Sequence, residues 1–465
     1  MKVTFVGHAS LLVETADLHI LSDPWWQGPC FGAQWWIYPE PCLDPLRGQP
    51  LDYIYISHGH EDHFHPGTLR TLDRTARLLV AKGLSLIPEA RALGFEIIEV
   101  PPDTAYQLGN GVSCRIVPTY GGDTFLTLTD GRETLVNLND SMHPLPSYAR
   151  RSCIKRIRGY HPPIDYLFCG HGVASHFPNC YSIPGTDRAA TAARRQVFFN
   201  RSWADIAAKL EPRFAFPFAA DVVLFESDLI WANEPVCNAR RPTQVFADRY
   251  PGSATACFDI APGFCVREGT IEVMRLRAPL RIEEAVAKSP QSVARANQYG
   301  RVQEDTVKEV HGLLEQSIRQ RAAFFESFDG DYRLLIRLRN GRQGFLIAKS
   351  GRAIEITAVA EAQAVGNFDL AYTTRLAYLR RSLTTRFGKD LLFVGSGGVF
   401  EYPSRSRLAE RLNDELMLMV SPFVAPGARL VRRAKAWVQQ ALGRDDLDLY
   451  NIQRWIVPQS QSASA

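Results

Sequence analysis

The nine cysteines of this sequence include no Cys-x-x-Cys pair and no finger-type spacing. That excludes a thiolate-bound structural zinc and a thioredoxin-like redox pair. Their odd number and scatter read as reduced, mostly buried thiols rather than a disulfide framework. One Cys-x-His pair occurs, Cys169-Gly170-His171, but no Cys-x-x-His exists to complete a Rieske iron–sulfur centre. No apolar run is long enough to span a bilayer. The first residues run directly into a strand pattern without a signal-peptide profile, so a cytoplasmic location is expected. Charge of one sign is also missing: 53 basic residues face 49 acidic ones, for a net +4. That balance does not select nucleic acid as the partner. No internal repeat is present. The sequence does hold 465 residues, 46% of them apolar, enough for a large core in about two to four domains.

One stretch stands out, Ser57-His58-Gly59-His60-Glu61-Asp62-His63. Residues 51–56 before it are β-branched and aromatic, which predicts a strand. Residues 66–72 after it open with proline, which predicts a helix start. The cluster then sits on a strand-to-helix loop at a strand's carboxyl end, where α/β sheets place their sites. His58 and His60, two apart in an extended loop, are candidate ligands for one cation. Asp62 and His63, adjacent on the turn, are candidates for a second. Imidazole and carboxylate without thiolate suit zinc or iron.

The run His58-x-His60-x-Asp62-His63 resembles the signature of the metallo-β-lactamase fold. The opening Val3–Val13, with its Gly7-His8-Ala9-Ser10 turn, resembles that family's first hairpin, and Asp23 stands where the family carries an early aspartate. The resemblance implies an α/β architecture, a four-layer αββα sandwich, commonly holding two metals. It gives Asp23 the part of a hydrogen-bond acceptor that orients the metal loop. It makes Asp140, at the end of a hairpin over 125–140, the carboxylate that bridges both ions. The loop at 118–123 should supply a further histidine and has none; Asp123 or Tyr120 stands nearest. A carboxylate in that place shifts preference from zinc toward iron or manganese. The last family histidine is also missing, and Asp221 and Glu226 are what the sequence offers instead.

The loop at 165–181 and Pro217-Phe218-Ala219-Ala220 resemble a narrower branch, the CMP-N-acetylneuraminate hydroxylases, which add a Rieske domain to this fold. His171 and His176 on that loop are candidate catalytic groups beside Asp62 and Asp140. The metal candidates are His58, His60, Asp62, His63, Asp123 and Asp140.

Elsewhere, six aromatic residues crowd 25–38 in a Pro- and Gly-rich stretch, either walling a substrate cleft or packing as an ordered loop over the sheet. The basic run at 150–158 reads as a solvated helix face or an anion-docking patch. The expected organisation is a catalytic unit over 1–280, a helical linker over 281–330, a smaller C-terminal α+β domain over 331–458 and a disordered tail from 459. Short strands are predicted at 332–338, 343–347 and 353–356, a helix at 370–381, a strand at 391–394 and a basic amphipathic helix at 428–444.

Three functions follow. The first is a non-haem di-iron oxygenase that hydroxylates or oxidises a small organic substrate, with electrons from a separate donor or the substrate itself. The second is a metal-dependent hydrolase, with zinc or manganese, of an ester, lactone, amide or phosphodiester. The third is a binding protein with a degenerate metal site.

Overall fold

The structure is a computed structural model. It describes residues 1–119, 122–160, 163–172, 177–298, 304–326, 330–339, 341–403, 420–423 and 455–459, together with 434, 437, 438 and 441. Tyr120, His176, most of 428–444 and the tail beyond Gln459 lie outside the described residues.

Two sheets face each other. The first has eight strands in the order Thr270–Val273, Cys265–Arg267, Lys2–Gly7, Ser10–Glu14, His19–Ser22, Tyr53–Tyr55, Arg77–Ala81, Ile97–Val100. Its first three strands in sequence are antiparallel neighbours, and the last four in the order run parallel. The second has seven strands, from Ala256–Cys257 through Phe214–Phe218, Tyr166–Gly170, Thr134–Asn137, Thr124–Thr129 and Val112–Pro118 to Tyr106–Gly109. Alternation along the strands builds the layers. Tyr53 and Tyr55 point inward, into one apolar core with Phe5, Leu11, Leu126, Phe168 and Phe218 from both sheets. Ile54 and Ile56 point outward, onto Ile87 and Ala90 of the helix Ile87–Ala92. On the other side, Val136 and Leu167 meet Ile157 of the helix Ser147–Tyr160 and Trp203 of the helix Arg188–Leu210. Helix, sheet, sheet, helix is the αββα sandwich.

A third sheet has the order Tyr181–Ser182, Gly398–Glu401, Leu370–Thr374, Tyr332–Leu338, Gly344–Ser350, Ala353–Val359. The helix Glu304–Gln320 lays Val310, Leu314 and Ile318 into its core. Several expectations change here. Residues 370–374 form a strand with a neighbour on each side, and the helix begins only at Leu376 and runs to Thr384. Leu370-Ala371-Tyr372 is buried in the sheet, and that packing outweighs the helical spacing. Residues 389–392 form a helical turn, and the strand falls at Gly398–Glu401. The opening hairpin is joined by a third strand, His19–Ser22, within the first 23 residues. The helix expected from 66 to 72 stops at Leu69, with the His65 ring accepting from the Thr68 N–H at its start.

Of the basic run at 150–158, Arg150 is buried and donates to Leu145 O and Ser202 Oγ, while Arg156 and Arg158 pair with Asp103 and Glu211. All nine cysteines are free, six of them buried. No helix among the described residues is long and apolar enough to cross a membrane.

Candidate metal centre

The site forms where four loops leave the facing sheets. The turn after Lys2–Gly7 carries His8, the end of His19–Ser22 carries Asp23, the loop after Tyr53–Tyr55 carries His58 to His63, and the loop after Thr134–Asn137 carries Asp140 and His143. His8, Asp23 and Asn139 all hold positive φ, at 49°, 39° and 34°. Non-glycine residues seldom occupy that region, and such strain concentrates at functional sites.

Buried hydrogen bonds lock these loops together. Asp23 accepts from Ser57 N at 2.8 Å, from Ser57 Oγ at 2.7 Å and from His63 Nδ1 at 3.0 Å. Thr124 Oγ1 donates to Ser57 O at 2.7 Å, and Asn139 Nδ2 donates to Thr124 O at 2.8 Å. Gly170 N donates to Asn139 O at 2.8 Å, and a Cβ at Gly170 would lie only 2.6 Å from that oxygen. Glycine is therefore required for the Asp140 loop to sit this close.

The side chains converge. His63 Nε2 lies 3.5 Å from Asp62 Oδ2 and 3.4 Å from Asp140 Oδ2, and His8 Nε2 lies 3.1 Å from Asp62 Oδ2. His58 Nε2 faces His60 Nδ1 at 2.8 Å, and the His58 and His63 rings are 4.2 Å apart. Two sets could hold a cation, His8 with Asp62 and His63, and His58 with His63 and Asp140; within each, one ligand atom per residue lies within 4.8 Å of the others. His63 has its Nδ1 tied to Asp23, so only Nε2 is left and it can serve one cation. The two sets share His63, and His60 belongs to neither, its Nδ1 lying against His58 Nε2.

The donor set fits metal. Asp62 Oδ1, Asp140 Oδ1, His8 Nδ1 and His63 Nε2 are buried without a hydrogen-bond partner among the described residues. Buried polar atoms are otherwise almost always satisfied. Electrostatics agree. Burial lowers His58 to about 4 against the pull of Asp123, so its imidazole is neutral and ready to ligate. Burial opposes charge on His63, but Asp62, Asp23 and Asp140 raise it well above the ordinary imidazole value. Burial pushes Asp140 up, yet His63 brings it down to about 2. Asp62 is likewise held well below the usual range by His63 and His8, despite its burial.

The other sequence candidates fall elsewhere. Asp123 is half-buried and belongs to neither set, acting on His58 through its charge. His171 is buried at the end of Tyr166–Gly170, also outside both sets. Burial, then Arg241 and Arg277, keep it neutral. Asp221 and Glu226 do not stand in for the missing histidine: Asp221 pairs with Arg277, and Glu226 with Arg339 and Arg375. Asp221 instead accepts the His8 N–H at 3.3 Å and steadies that turn. Sequence reasoning missed His8 and His143 as site residues. His8 had a signal, its Gly-His turn. His143 is three residues after Asp140 and aims Nε2 at Gly172 O, 2.7 Å away. Trp25 and Phe31 of the aromatic stretch are buried, and Trp35 faces the cavity beside the site, so that stretch both packs and walls.

Residues 2–137 match the model of the beta-lactamase superfamily domain. With the two-sheet sandwich, this makes the N-terminal unit a metallo-β-lactamase fold. Within that superfamily the likeness runs to proteins with hydroxylase and Rieske names. A protein of Mycobacterium tuberculosis, provisionally named a Rieske 2Fe-2S iron-sulfur protein, is 28% identical over 264 residues, 54% of this chain and 49% of that one. The cytidine monophosphate-N-acetylneuraminic acid hydroxylase of Asterias rubens is 40% identical over 75 residues, 16% of this chain and 12% of that one. The match thus spans about half the length of the mycobacterial relative. A metallo hydrolase of Ignicoccus hospitalis superposes with a TM-score of 0.39 at 17% identity, over 57% of this chain and 97% of that one, a likeness too loose to carry an argument.

Proposed function

We propose that this chain is a metal-dependent oxygenase that uses iron to hydroxylate or oxidise a small organic substrate. The carrying observation is the donor set: buried imidazoles and carboxylates in two-histidine, one-carboxylate combinations, with no thiolate. That combination is the one non-haem iron oxygenases use. The names of the similar proteins, a hydroxylase and an iron–sulfur protein, support the same reading.

In this reading His8, Asp62 and His63 would hold one cation, and His58 and Asp140, with His60 beside them, would hold the other. Bound iron would supply the redox capacity to reduce dioxygen. The chain's own residues prepare the ground. Asp23 fixes the His63 tautomer and points Nε2 at the focus. Ser57 hydrogen-bonds His58 Nδ1 at 2.9 Å and leaves its Nε2 side inward. Trp25, edge-on to His8 at 5.1 Å, closes one wall to water. Placing one atom of dioxygen in a C–H bond and reducing the other to water takes two electrons and two protons. In this reading a separate donor, or the substrate itself, would supply those electrons.

Elemental analysis of protein expressed with iron and zinc both available tests this reading. Two irons per chain with a visible absorption band are expected. Zinc or manganese in their place would replace the oxygenase with a hydrolase, and substoichiometric metal would replace it with a binding protein.

A further inference from the structure

Beside the metal-facing residues lies a narrow, partly open cavity. His8, Asp62 and Asp140 form one end. The rest of the wall is largely apolar, with Trp35, Ala192, Ala220, Leu224, Ala232 and Val236 prominent. The alanines make the room, because any larger side chain there would fill it.

The described wall carries no cationic side chain for an anion. Among the described residues that line it there is no lysine and no arginine. Of its two amides, Asn233 is fully engaged and Asn179 makes one bond. Asn233 Oδ1 accepts from Leu224 N at 2.9 Å, and its Nδ2 donates to Leu224 O and Ile230 O, each at 2.9 Å. Asn179 Nδ2 donates to Ser396 Oγ at 3.3 Å. Nearby arginines are engaged outside the cavity. Arg188 lies 4.2 Å over the Trp231 ring and donates to Asn179 O, and Arg277 pairs with Asp221. A phosphate or carboxylate entering here would lose its water and gain no charged donor from the wall, whereas an apolar body gains contact along the whole length.

We propose that the substrate is uncharged and hydrocarbon over most of its length, held along the alanine-lined wall with its reacting carbon at the His8–Asp62–Asp140 end. This rests on the metal reading of that end. It assigns the chain to substrates whose body along that wall is neutral and apolar.

Saturation-transfer NMR on metal-loaded protein tests it, with benzyl alcohol as the neutral probe and benzoate and cytidine monophosphate as charged ones. Benzyl alcohol should receive more saturation than either anion at the same concentration. Ala232→Phe, on a half-buried turn, and Val236→Trp, near the mouth, should each weaken benzyl alcohol binding by roughly tenfold or more with metal content unchanged. Either anion binding as well as the alcohol, or alcohol binding that survives both substitutions, would overturn the proposal. Metal content measured on the same samples separates the two readings. Protein that takes the alcohol but holds no metal refutes the oxygenase alone. Metal-replete protein that ignores the alcohol refutes the neutral-substrate assignment alone.

Discussion

His63 is the residue on which the site turns. Three aspartates raise its pKa, so in metal-free protein it carries a proton that an arriving cation must displace from Nε2. His58, lowered to about 4, has no proton to lose near neutrality. The sign follows: metal affinity rises with pH up to the pKa of His63, about tenfold per pH unit for that position. Chelator competition at two pH values below that point checks it, and a flat profile would contradict it. Asp23→Asn removes the acceptor that orients His63 and Ser57. It should weaken metal binding by roughly ten- to a hundredfold, read by the same competition. At this scale the sequence was legible where the candidate ligands are neighbours. His58, His60, Asp62 and His63 share one loop, and their spacing alone marks them. His8 reaches Asp62 across 54 positions, and no local pattern encodes such a meeting.

Among the elements, the strand Tyr166–Gly170 matters as much as the metal loop. Its terminal glycine lets the Asp140 loop approach, and a methyl there would meet Asn139 O at 2.6 Å and the His143 ring at 3.0 Å. Gly170→Ala should cost about 1–3 kcal/mol of stability and lower metal content, seen by denaturant titration and elemental analysis together. Stability loss with metal content unchanged would detach this contact from the site. Strand and helix patterns were readable wherever local preference and burial agree. The run Tyr332–Leu338 is a strand over its predicted bounds, and the strand expected from 343 begins one residue later, at Gly344. They failed at Leu370–Thr374, where a helix-like spacing of apolar residues is held extended by strands on both sides.

Across the whole molecule, the third sheet is stitched to the metal-bearing sandwich. Tyr181–Ser182 pairs with Gly398–Glu401. Gln34 Nε2 donates to Leu391 O at 3.0 Å, and Tyr378 OH donates to Gly32 O at 3.2 Å. Glu226, buried in the sandwich, faces Arg339 and Arg375 from the third sheet's side. Glu226→Gln removes the carboxylate that Arg339 and Arg375 share and should destabilise the protein by about 3 kcal/mol, measured by denaturant titration. Composition and spacing could show that more than one unit exists. They could not show which residues cross between them, because those partners lie 100 to 360 positions apart and carry no shared motif.

The division of ligands between two cations is tested most directly by counting metal in single-site variants. Wild-type protein should hold two ions, His58→Ala and His63→Ala one each, and Asp140→Ala fewer than either. Wild-type protein that binds no more than one ion, or an Asp140→Ala variant that keeps both, would contradict the paired centre.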